Sequence, residues 1–319
     1  MSGSLRGLGA GAGAVAALGA GSLVYANRVE LTRFTLRHEH IPVAGLGGLR
    51  RPIRLLHISD IHYVPGQTKK LRWLQSLAEL EPDLVINTGD NLSHAQAVPE
   101  VLQALEPLMQ FPGAFVPGSN DYYTPTFRNP LRYFAGPSRP HTRTASLPTD
   151  ELFAAFEAAG WLNLTNTHST AEVAGAKISF SGVDDPHLDL DEFPQWGGDT
   201  HDGGGRGDST ELPQLRLGVA HSPMQRVLQA YADTGAHLVL AGHTHGGQVC
   251  LPSLSPRGGR ALVTNCDLPA SKAKGLHTVT GAGGATTWVH VSAGIGTSAK
   301  APIRFFCPPE ASLLRLSPA

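Results

Sequence analysis

The sequence predicts an α/β fold in which helices lie outside a sheet, and three observations support that prediction. Short apolar runs alternate with segments whose apolar residues recur at helical spacing, from residue 52 onward. Polar side chains follow most of the predicted strands. The 319 residues include 37 Gly and 24 Pro, a content that indicates many loops and few long helices. Alternating units of this kind are typical of α/β proteins.

Three strands and two helices are predicted in the first part of this alternation. Strands are predicted at Ile53–Ile58 and Leu84–Asn87, which are apolar runs that end in Ser-Asp and Thr-Gly-Asp. Apolar residues at helical spacing follow the first strand until Pro82, which stops a helix, and they recur over residues 98–108. A third strand leads into the sequence FVPGSND at residues 115–121.

A further helix and further strands are predicted in the second part. Thr149 is expected to cap a helix that ends at Gly160. Ser222 and Pro223 are typical of a helix start, as a cap followed by a first-turn proline. Strands are predicted over residues 177–180, 215–219, 238–240 and 288–291, and the last of these is the last clear strand in the sequence.

The composition limits which partners and which kinds of metal site the sequence predicts. The net charge of −1 gives no electrostatic case for nucleic acid, so no nucleic-acid partner is expected. Only three widely spaced cysteines occur, which predicts neither a disulfide framework nor a thiolate zinc site. Any metal is therefore expected to be bound by nitrogen and oxygen atoms.

The amino-terminal segment differs from the rest of the chain. Residues 7–26 carry no charge and follow Arg6, and their length could span a bilayer. Residues 1–27 are therefore predicted to be a membrane anchor or an export signal, with a Gly/Ala tail as the alternative. Residues 28–51 are predicted to form a linker or leading strand. Residues 52–319 are predicted to form the catalytic domain, with flexible insertions at 128–148 and 186–214.

Residues able to bind metal collect after five of the predicted strands. Ligands bind at the carboxyl ends of strands in open α/β sheets, so we expect these side chains to meet. Carboxylate, imidazole and amide ligands together suit Zn, Fe, Mn or Co. The candidate ligands, in chain order, are Asp60, His62, Asp90, Asn120, His221, His243 and His245.

The order of these blocks resembles the calcineurin-like metallophosphoesterases, whose blocks read D-x-H, G-D, G-N-H-D/E, H and G-H-x-H. The resemblance covers about residues 52–318, and the stretches GHTHGGQVCLP and SAGIGTSAKAPIRFFCPPE are similar to a membrane-associated or exported bacterial branch. It implies a four-layer α/β/β/α sandwich with two mixed sheets and a pair of divalent metal ions. It also implies a ligand set: Asp60, His62 and His245 for the first ion, His221 and His243 for the second, and Asp90 as the bridge.

The resemblance further implies a phosphoric ester hydrolase of the phosphodiesterase or pyrophosphatase type. In that chemistry a hydroxide that bridges the metals attacks phosphorus in line. The expected substrate is a small phosphate ester or a lipid-linked or envelope phosphate, and the expected location is membrane-anchored or exported. Two alternatives remain open, namely a catalytically weak phosphate-binding or scaffold protein and a soluble cyclic-nucleotide phosphodiesterase.

One block departs from the family pattern. In the G-N-H-D/E block, Ser119 stands at the Asn position and Asn120 at the His position when Gly118 and Asp121 are kept in register. Three interpretations follow: Asn120 shifts to bind the second metal, Ser119 or a water takes that position, or the second metal is held weakly. We favour Asn120 as the ligand, because its amide oxygen is the group required.

This block supplies no imidazole that could act as an acid. An asparagine donates a hydrogen bond but transfers no proton at neutral pH. The loss of a general acid costs about 10²–10⁴-fold when the leaving group needs protonation. The candidates near this step are Asn120, Asp121 and His94 for catalysis, Asn91 and Ser119 for substrate binding, and Arg132, Arg139 and Arg143 for phosphate contacts.

Overall fold

Two six-stranded mixed sheets form the centre of the structure, a computed structural model that describes residues 17–126, 145–194, 196, 214–253 and 258–319. The first sheet has the order β1-β14-β2-β3-β4-β5, and the second has the order β12-β13-β9-β8-β7-β6. Two further short strands, β10 and β11, pair with each other. The strands are β1 (Thr35–Val43), β2 (Ile53–Ile58), β3 (Leu84–Asn87), β4 (Gly113–Phe115), β5 (Leu162–Asn163), β6 (Thr167–Val173), β7 (Ala176–Gly182), β8 (Gln214–Val219), β9 (Leu238–Ala241), β10 (Cys250–Leu251), β11 (Arg260–Ala261), β12 (Gly275–Thr280), β13 (Thr286–Val291) and β14 (Glu310–Pro318).

Helices cover the outer face of each sheet. The helices are α1 (Thr68–Ser76), α2 (Val98–Leu105), the single turn α3 (Ser119–Tyr122), α4 (Thr149–Ala158) and α5 (Gln225–Asp233). Apolar side chains of α1, α2 and α4 pack with one face of the first sheet, and those of α5 pack with one face of the second. The structure therefore confirms the predicted four-layer α/β/β/α sandwich.

The core between the two sheets explains why the parallel strands are apolar on both faces. In β2, Leu55 packs between the sheets with residues such as Phe180 of β7 and Leu217 of β8. Its neighbour Leu56 points the other way and packs with the helices. Strands covered on both faces read as continuous apolar runs, which is why a polar residue at their ends stands out in the sequence.

The carboxyl-terminal strand was not predicted from the sequence. Strand β14 lies inside the first sheet, parallel to β1 on one side and antiparallel to β2 on the other. The strand predicted at residues 288–291 is present as β13, and β14 is a later strand that the sequence pattern did not indicate. The pairing of β14 with two strands distant in sequence stabilises it, and no local periodicity reports such pairing.

Two predicted helix starts differ from the structure. The Thr149 hydroxyl donates to the Asp121 carbonyl at 2.6 Å, so it joins α4 to the loop of residues 118–121 and does not cap the helix. Helix α5 begins at Gln225 and not at Ser222–Pro223. The Gln225 N–H donates to the Asp267 carboxylate at 2.9 Å, a tertiary cap that lies 42 residues away in sequence.

The predicted amino-terminal anchor and the two insertions fall partly outside the described residues. Residues 17–24 are helical and continue into Tyr25–Val29 and Glu30–Thr32. Among the helices of the described ranges, none is long and apolar enough to cross a membrane. Residues 1–16, most of both insertions, and the candidate phosphate contacts Arg132, Arg139 and Arg143 lie outside the described residues.

Candidate metal centre

The predicted ligands meet where the two sheets present the carboxyl ends of their parallel strands. Asp60 and His62 follow β2, and Asp90 follows β3. His221 follows β8 of the second sheet, and His243 and His245 follow β9. All six side chains are buried. The sandwich therefore joins ligands from two sheets into one cluster.

Five of these six residues have a left-handed backbone, which is uncommon for residues with a Cβ atom. The φ angles are 50° at Asp60, 44° at His62, 57° at Asp90, 67° at His243 and 48° at His245. Such conformations cost about 1–3 kcal/mol each and persist where the surroundings over-determine them. Here the backbone N–H of Asp60 donates to Gly89 O and that of His62 to Asp90 O, both at 2.9 Å. Each strand thus turns sharply at its ligand.

The distances define two overlapping groups of ligand atoms. Asp90 Oδ2 lies 3.3 Å from His62 Nε2 and 3.4 Å from His221 Nε2. Asp60 Oδ1 lies 4.0 Å from His62 Nε2 and 3.8 Å from His245 Nε2. Each group can place three ligand atoms around one ion. The first group is Asp60, His62 and His245, and the second is Asp60, Asp90 and His221. Both carboxylates are central, since Asp60 belongs to both groups and Asp90 lies between His62 and His221.

The histidine orientations test whether metal ions fit this cluster. His221 Nδ1 lies 2.7 Å from the Thr88 carbonyl, so Nδ1–H donates to that carbonyl and Nε2 is directed toward Asp90 Oδ2, 3.4 Å away. His62 Nδ1 contacts Ser93 Oγ at 3.1 Å, which leaves Nε2 toward the carboxylates. Three buried ring nitrogens have no hydrogen-bond partner among the described residues: Nε2 of His62, Nε2 of His243 and Nδ1 of His245. Buried polar atoms are almost always satisfied, so this donor set fits metal ions.

Electrostatics favour neutral imidazoles at three of the four histidines and an ionised Asp90. At the fourth, His221, burial lowers the pKa, but Asp90, Asp185 and Asp60 raise it well above its usual range. Burial raises the pKa of Asp60 to about 6. Burial lowers the pKa of His62 to about 4 and the pKa values of His243 and His245 well below their usual range. Burial opposes ionisation of Asp90, yet His221 and His62 hold the pKa of its carboxyl well below the usual range. Neutral imidazole and ionised carboxylate are the forms that bind metal.

The altered loop brings Asn120 to the cluster. Its backbone N–H donates to Asp90 Oδ1 at 2.7 Å, and its Nδ2 lies 2.8 Å from Asp90 Oδ2, the oxygen that faces His62 and His221. A rotation of the amide by half a turn presents Oδ1 at the same place. The Ser119 hydroxyl lies behind it, 3.3 Å from Asn120 Nδ2. The ligand role of Asn120 stays a prediction.

Asp121 and Asn91 lie inside the loops that hold Asp90. The buried Asp121 carboxylate accepts hydrogen bonds from the backbone N–H groups of Asp90, Asn91 and Gly118 and from Asn91 Nδ2, at 2.8–3.2 Å. The Asn91 Oδ1 atom accepts from Asn87 Nδ2 at 2.8 Å. Both side chains are therefore engaged in positioning the turn that carries Asp90. The predicted catalytic role of Asp121 and substrate role of Asn91 stay predictions.

His94 lies on the protein surface. Its side chain is exposed, and its Nδ1 accepts from the Gln96 N–H at 3.1 Å. Its role as a proton donor stays a prediction.

Sequence reasoning missed two buried residues beside the histidines. The His187 ring lies 4.8 Å from the His243 ring, and Asp185 accepts from the His187 N–H at 2.9 Å. Burial raises the pKa of Asp185 to about 7, with Asp90 adding to that rise and His221 opposing it. Part of this segment was predicted to be a flexible insertion. The signal was the pair of aspartates just after β7, which ends at the same edge as β8 and β9.

Comparison with known proteins identifies the family. The sequence matches the family described as calcineurin-like phosphoesterase over residues 53–247, which is more than half of the chain and contains the whole cluster. The chain belongs to the calcineurin-like phosphoesterase family. Members of this family typically use divalent metal ions, and the clustered side chains can bind ions of that kind.

The chain is also similar to other proteins and to solved structures. A protein of Danio rerio described as "Transmembrane protein with metallophosphoesterase domain" is 31% identical over 220 residues, which cover 66% of this chain and 44% of that protein. This chain thus spans less than half of that relative. "Uncharacterized metallophosphoesterase YkuE" of Bacillus subtilis is 26% identical over 305 residues, which cover 90% of this chain and 85% of that protein. The solved structure of a 5'-nucleotidase precursor from Thermus thermophilus covers 83% of this chain and 55% of its own, at 11% identity and a TM-score of 0.42.

Proposed function

We propose that the protein hydrolyses phosphodiester or pyrophosphate bonds with two divalent metal ions held by this cluster. The observation that carries the proposal is the pair of overlapping three-ligand groups, together with three buried histidine nitrogens that have no partner in the part of the chain that the structure describes. We assign Asp60, His62 and His245 to one ion and His221 and His243 to the other, with Asp90 between them. Asn120 completes the second set through its amide oxygen.

The protein side chains fix the geometry in which such ions act. When bound, two adjacent divalent ions polarise a phosphate ester, lower the pKa of a shared water and stabilise the leaving oxygen. Thr88 O fixes the tautomer of His221, so that Nε2 is available as a ligand. Asp121 holds the backbone of Asp90 and Gly118, so that the Asp90 carboxylate faces both sheets. The chain thus supplies a pre-organised site, which reduces the cost of reorganisation in the reaction.

The missing imidazole narrows the class of substrate. Asn120 occupies the position of the family's His and cannot give a proton to a leaving alkoxide. A phosphate or aryl oxide leaves without full protonation, so we expect pyrophosphate-type and activated diester bonds to be cleaved faster than simple alkyl esters. A competition between an aryl phosphodiester and its alkyl analogue tests this expectation.

Metal content and hydrolysis together test the proposal. Protein purified without chelator should contain two equivalents of divalent metal by plasma mass spectrometry and should hydrolyse a generic aryl phosphodiester. A protein that retains the metals without turnover would support the alternative of a phosphate-binding or scaffold protein. Absence of both metal and turnover, in a folded protein supplied with Mn²⁺, Zn²⁺, Co²⁺ or Fe²⁺, would refute the proposal.

Two neighbouring variants test the ligand role of Asn120. Asn120→Ala should lower the metal content toward one equivalent and reduce turnover. Ser119→Ala is the matched control, because it lies next in sequence and its hydroxyl lies 3.3 Å from the Asn120 amide. The control should keep both ions. The reverse pattern would assign the ligand position to Ser119.

We infer further that the site works at a membrane surface on a lipid-linked phosphate. The large apolar side chains exposed in the described residues fall in two segments. Residues 17–29 carry one group and the region of β10 and β11 carries the other. The two segments adjoin, because Tyr25 packs on Phe305 and Phe305 pairs with Val249. The exposed side chains are Leu18, Leu23, Val24, Val29, Val249, Leu251 and Leu262.

This surface lies close in sequence to a metal ligand, since Val249 follows His245 by four residues. Apolar side chains that face solvent in one patch are typical of surfaces that bind a membrane or another protein. Vesicle sedimentation tests the inference: Val24→Asp with Leu251→Asp should lower binding to phosphatidylcholine–phosphatidylglycerol vesicles at least tenfold. Thr286→Asp with Thr170→Asp, at exposed positions of β13 and β6, is the charge-matched control and should bind like the wild type. Equal binding by all three proteins would refute it.

A further inference from the structure

Two of the three cysteines lie together beneath the loop that carries His245. Cys250 and Cys307 are buried and free. They belong to one small cluster with Ala293. The third cysteine, Cys266, packs in a different cluster with residues of α5. Cys250 and Cys307 are far apart in sequence, so the sequence pattern did not predict that they lie together.

Backbone pairing brings the two thiols together. Val249 and Phe305 form a parallel β-bridge, and the Cys250 N–H donates to the Phe305 carbonyl at 2.9 Å. Phe306 has a φ of 50°, a left-handed turn just before Cys307. Paired backbones lie about 4.7–4.9 Å apart, and a disulfide needs Cα atoms about 4.4–6.8 Å apart. Cys250 and Cys307 follow this bridge by one and two residues, and both Sγ atoms contact Gly246 O, at 3.3 and 3.5 Å, so the two thiols lie side by side.

Both thiols donate to carbonyls of the loop around His245. Cys250 Sγ lies 3.3 Å from Gly246 O, and Cys307 Sγ lies 3.3 Å from His245 O and 3.5 Å from Gly246 O. The Lys274 ammonium lies 3.4 Å from Cys307 Sγ and 3.9 Å from Cys250 Sγ. Cysteines beside a cationic side chain are typical of reactive thiols. Neither thiol is among the candidate metal ligands, so the hydrolytic site leaves this pair unexplained.

We propose that Cys250 and Cys307 form a redox-active dithiol that closes to an intramolecular disulfide when it meets a small oxidising disulfide such as oxidised glutathione. One protein thiolate attacks a sulfur of glutathione disulfide and releases one glutathione. The second protein thiolate then attacks the protein sulfur of this mixed disulfide, forms the Sγ–Sγ bond and releases the second glutathione. The two thiol protons end on the two released glutathiones, the protein is oxidised by two electrons and the oxidant is reduced by two.

Closure of the bond changes the support of the His245 loop. The disulfide has no S–H group, so the carbonyls of His245 and Gly246 lose their thiol donors. The bond also ties β10 to the segment before β14. Ala261 of β11 packs on the cysteine cluster, so opening of the two-residue pairing of β10 with β11 uncovers part of it.

Thiol counting in glutathione buffers tests the proposal on the whole protein. Samples are brought to equilibrium from folded, reduced protein and from protein refolded out of urea, so that burial does not limit the result. After quenching by alkylation, two thiols should disappear together as the buffer becomes more oxidising. Peptide mapping should link the peptide with Cys250 to the peptide with Cys307, with a mass lower by two hydrogen atoms.

Cysteine variants provide the controls. Cys266→Ser is matched in chemistry and should close like the wild type. Cys250→Ser and Cys307→Ser should form no intramolecular bond. If either of these fails to fold, the maps of the wild type and of Cys266→Ser decide the matter. Three free thiols across the whole series, a bond that includes Cys266, or glutathione adducts as the only product would each overturn the proposal.

Discussion

Replacement of Gly118 by alanine tests whether close packing at the altered loop sets the position of Asp90. A Cβ atom built on Gly118 lies 2.4 Å from Asp90 Oδ1, 2.7 Å from Asp90 N and 2.8 Å from His221 Cε1. These separations lie several tenths of an ångström inside van der Waals contact. The backbone of Gly118 is extended, with φ −121° and ψ 170°, so alanine meets no conformational penalty there. The cost is therefore steric and falls on two candidate metal ligands.

The expected magnitude follows from overpacking of a buried site. Insertion of a methyl group into a well-packed region costs about 1–3 kcal/mol in the free energy of unfolding. The two ligands must move apart to admit the methyl group, so we expect metal affinity to fall at least tenfold, about 1.4 kcal/mol. Urea unfolding measures the first quantity and isothermal titration with Mn²⁺ or Zn²⁺ measures the second.

Gly47→Ala is the matched control. A Cβ atom at Gly47 meets nothing within 4 Å, so its unfolding free energy should stay within about 0.5 kcal/mol of the wild type. Metal affinity of this control should not change. If Gly118→Ala matched the wild type in both stability and metal affinity, the result would contradict the close packing of Gly118 against Asp90 and His221.

Three further results are expected. Asp121→Ala removes the acceptor of the Asp90, Asn91 and Gly118 N–H groups, so titration should show at least a tenfold loss of metal affinity; unchanged affinity would contradict a positioning role. Chelation of the metals should lower the thermal midpoint, because ions at 100 times their Kd stabilise the folded state by about 2.7 kcal/mol per site. In metal-free protein, Asp185→Asn should gain stability over the wild type as pH rises from 4 to 7. The pKa of Asp185 is raised from 3.8 to about 7, so the folded wild type binds the extra proton in this window and loses up to about 4 kcal/mol as pH rises. Parallel urea unfolding curves across this range would refute that assignment.

The sequence determined most of the fold class and the chemical type of the site. Apolar runs such as Ile53–Ile58 and Leu84–Asn87 coincide with strands, because strands covered on both faces need apolar residues at every position. The polar residues after those strands were recognisable, since a carboxylate or imidazole beside a buried strand has no role in apolar packing. Helix starts were predicted less accurately. Helix α5 begins at Gln225, whose N–H is capped by Asp267, and no local sequence pattern encodes that contact.

Two residues beside the candidate metal centre also could not be predicted from the sequence. His187 and Asp185 lie next to His243 in space, but in sequence they precede a segment rich in Asp and Gly. Composition reports the average tendency of a segment to fold. It does not report that β7 delivers two aspartates to the same edge as the ligand strands.

The sequence by itself determined which residues can bind metal, because ligand chemistry is a property of side-chain type and of position after a strand. Tertiary structure decided how they are combined. The packing of two sheets brings Asp90 of one and His221 of the other to 3.4 Å, and it sets the Asn120 amide, not the Ser119 hydroxyl, against Asp90 Oδ2. Such distances depend on strand order and register, which arise from contacts between residues far apart in the chain.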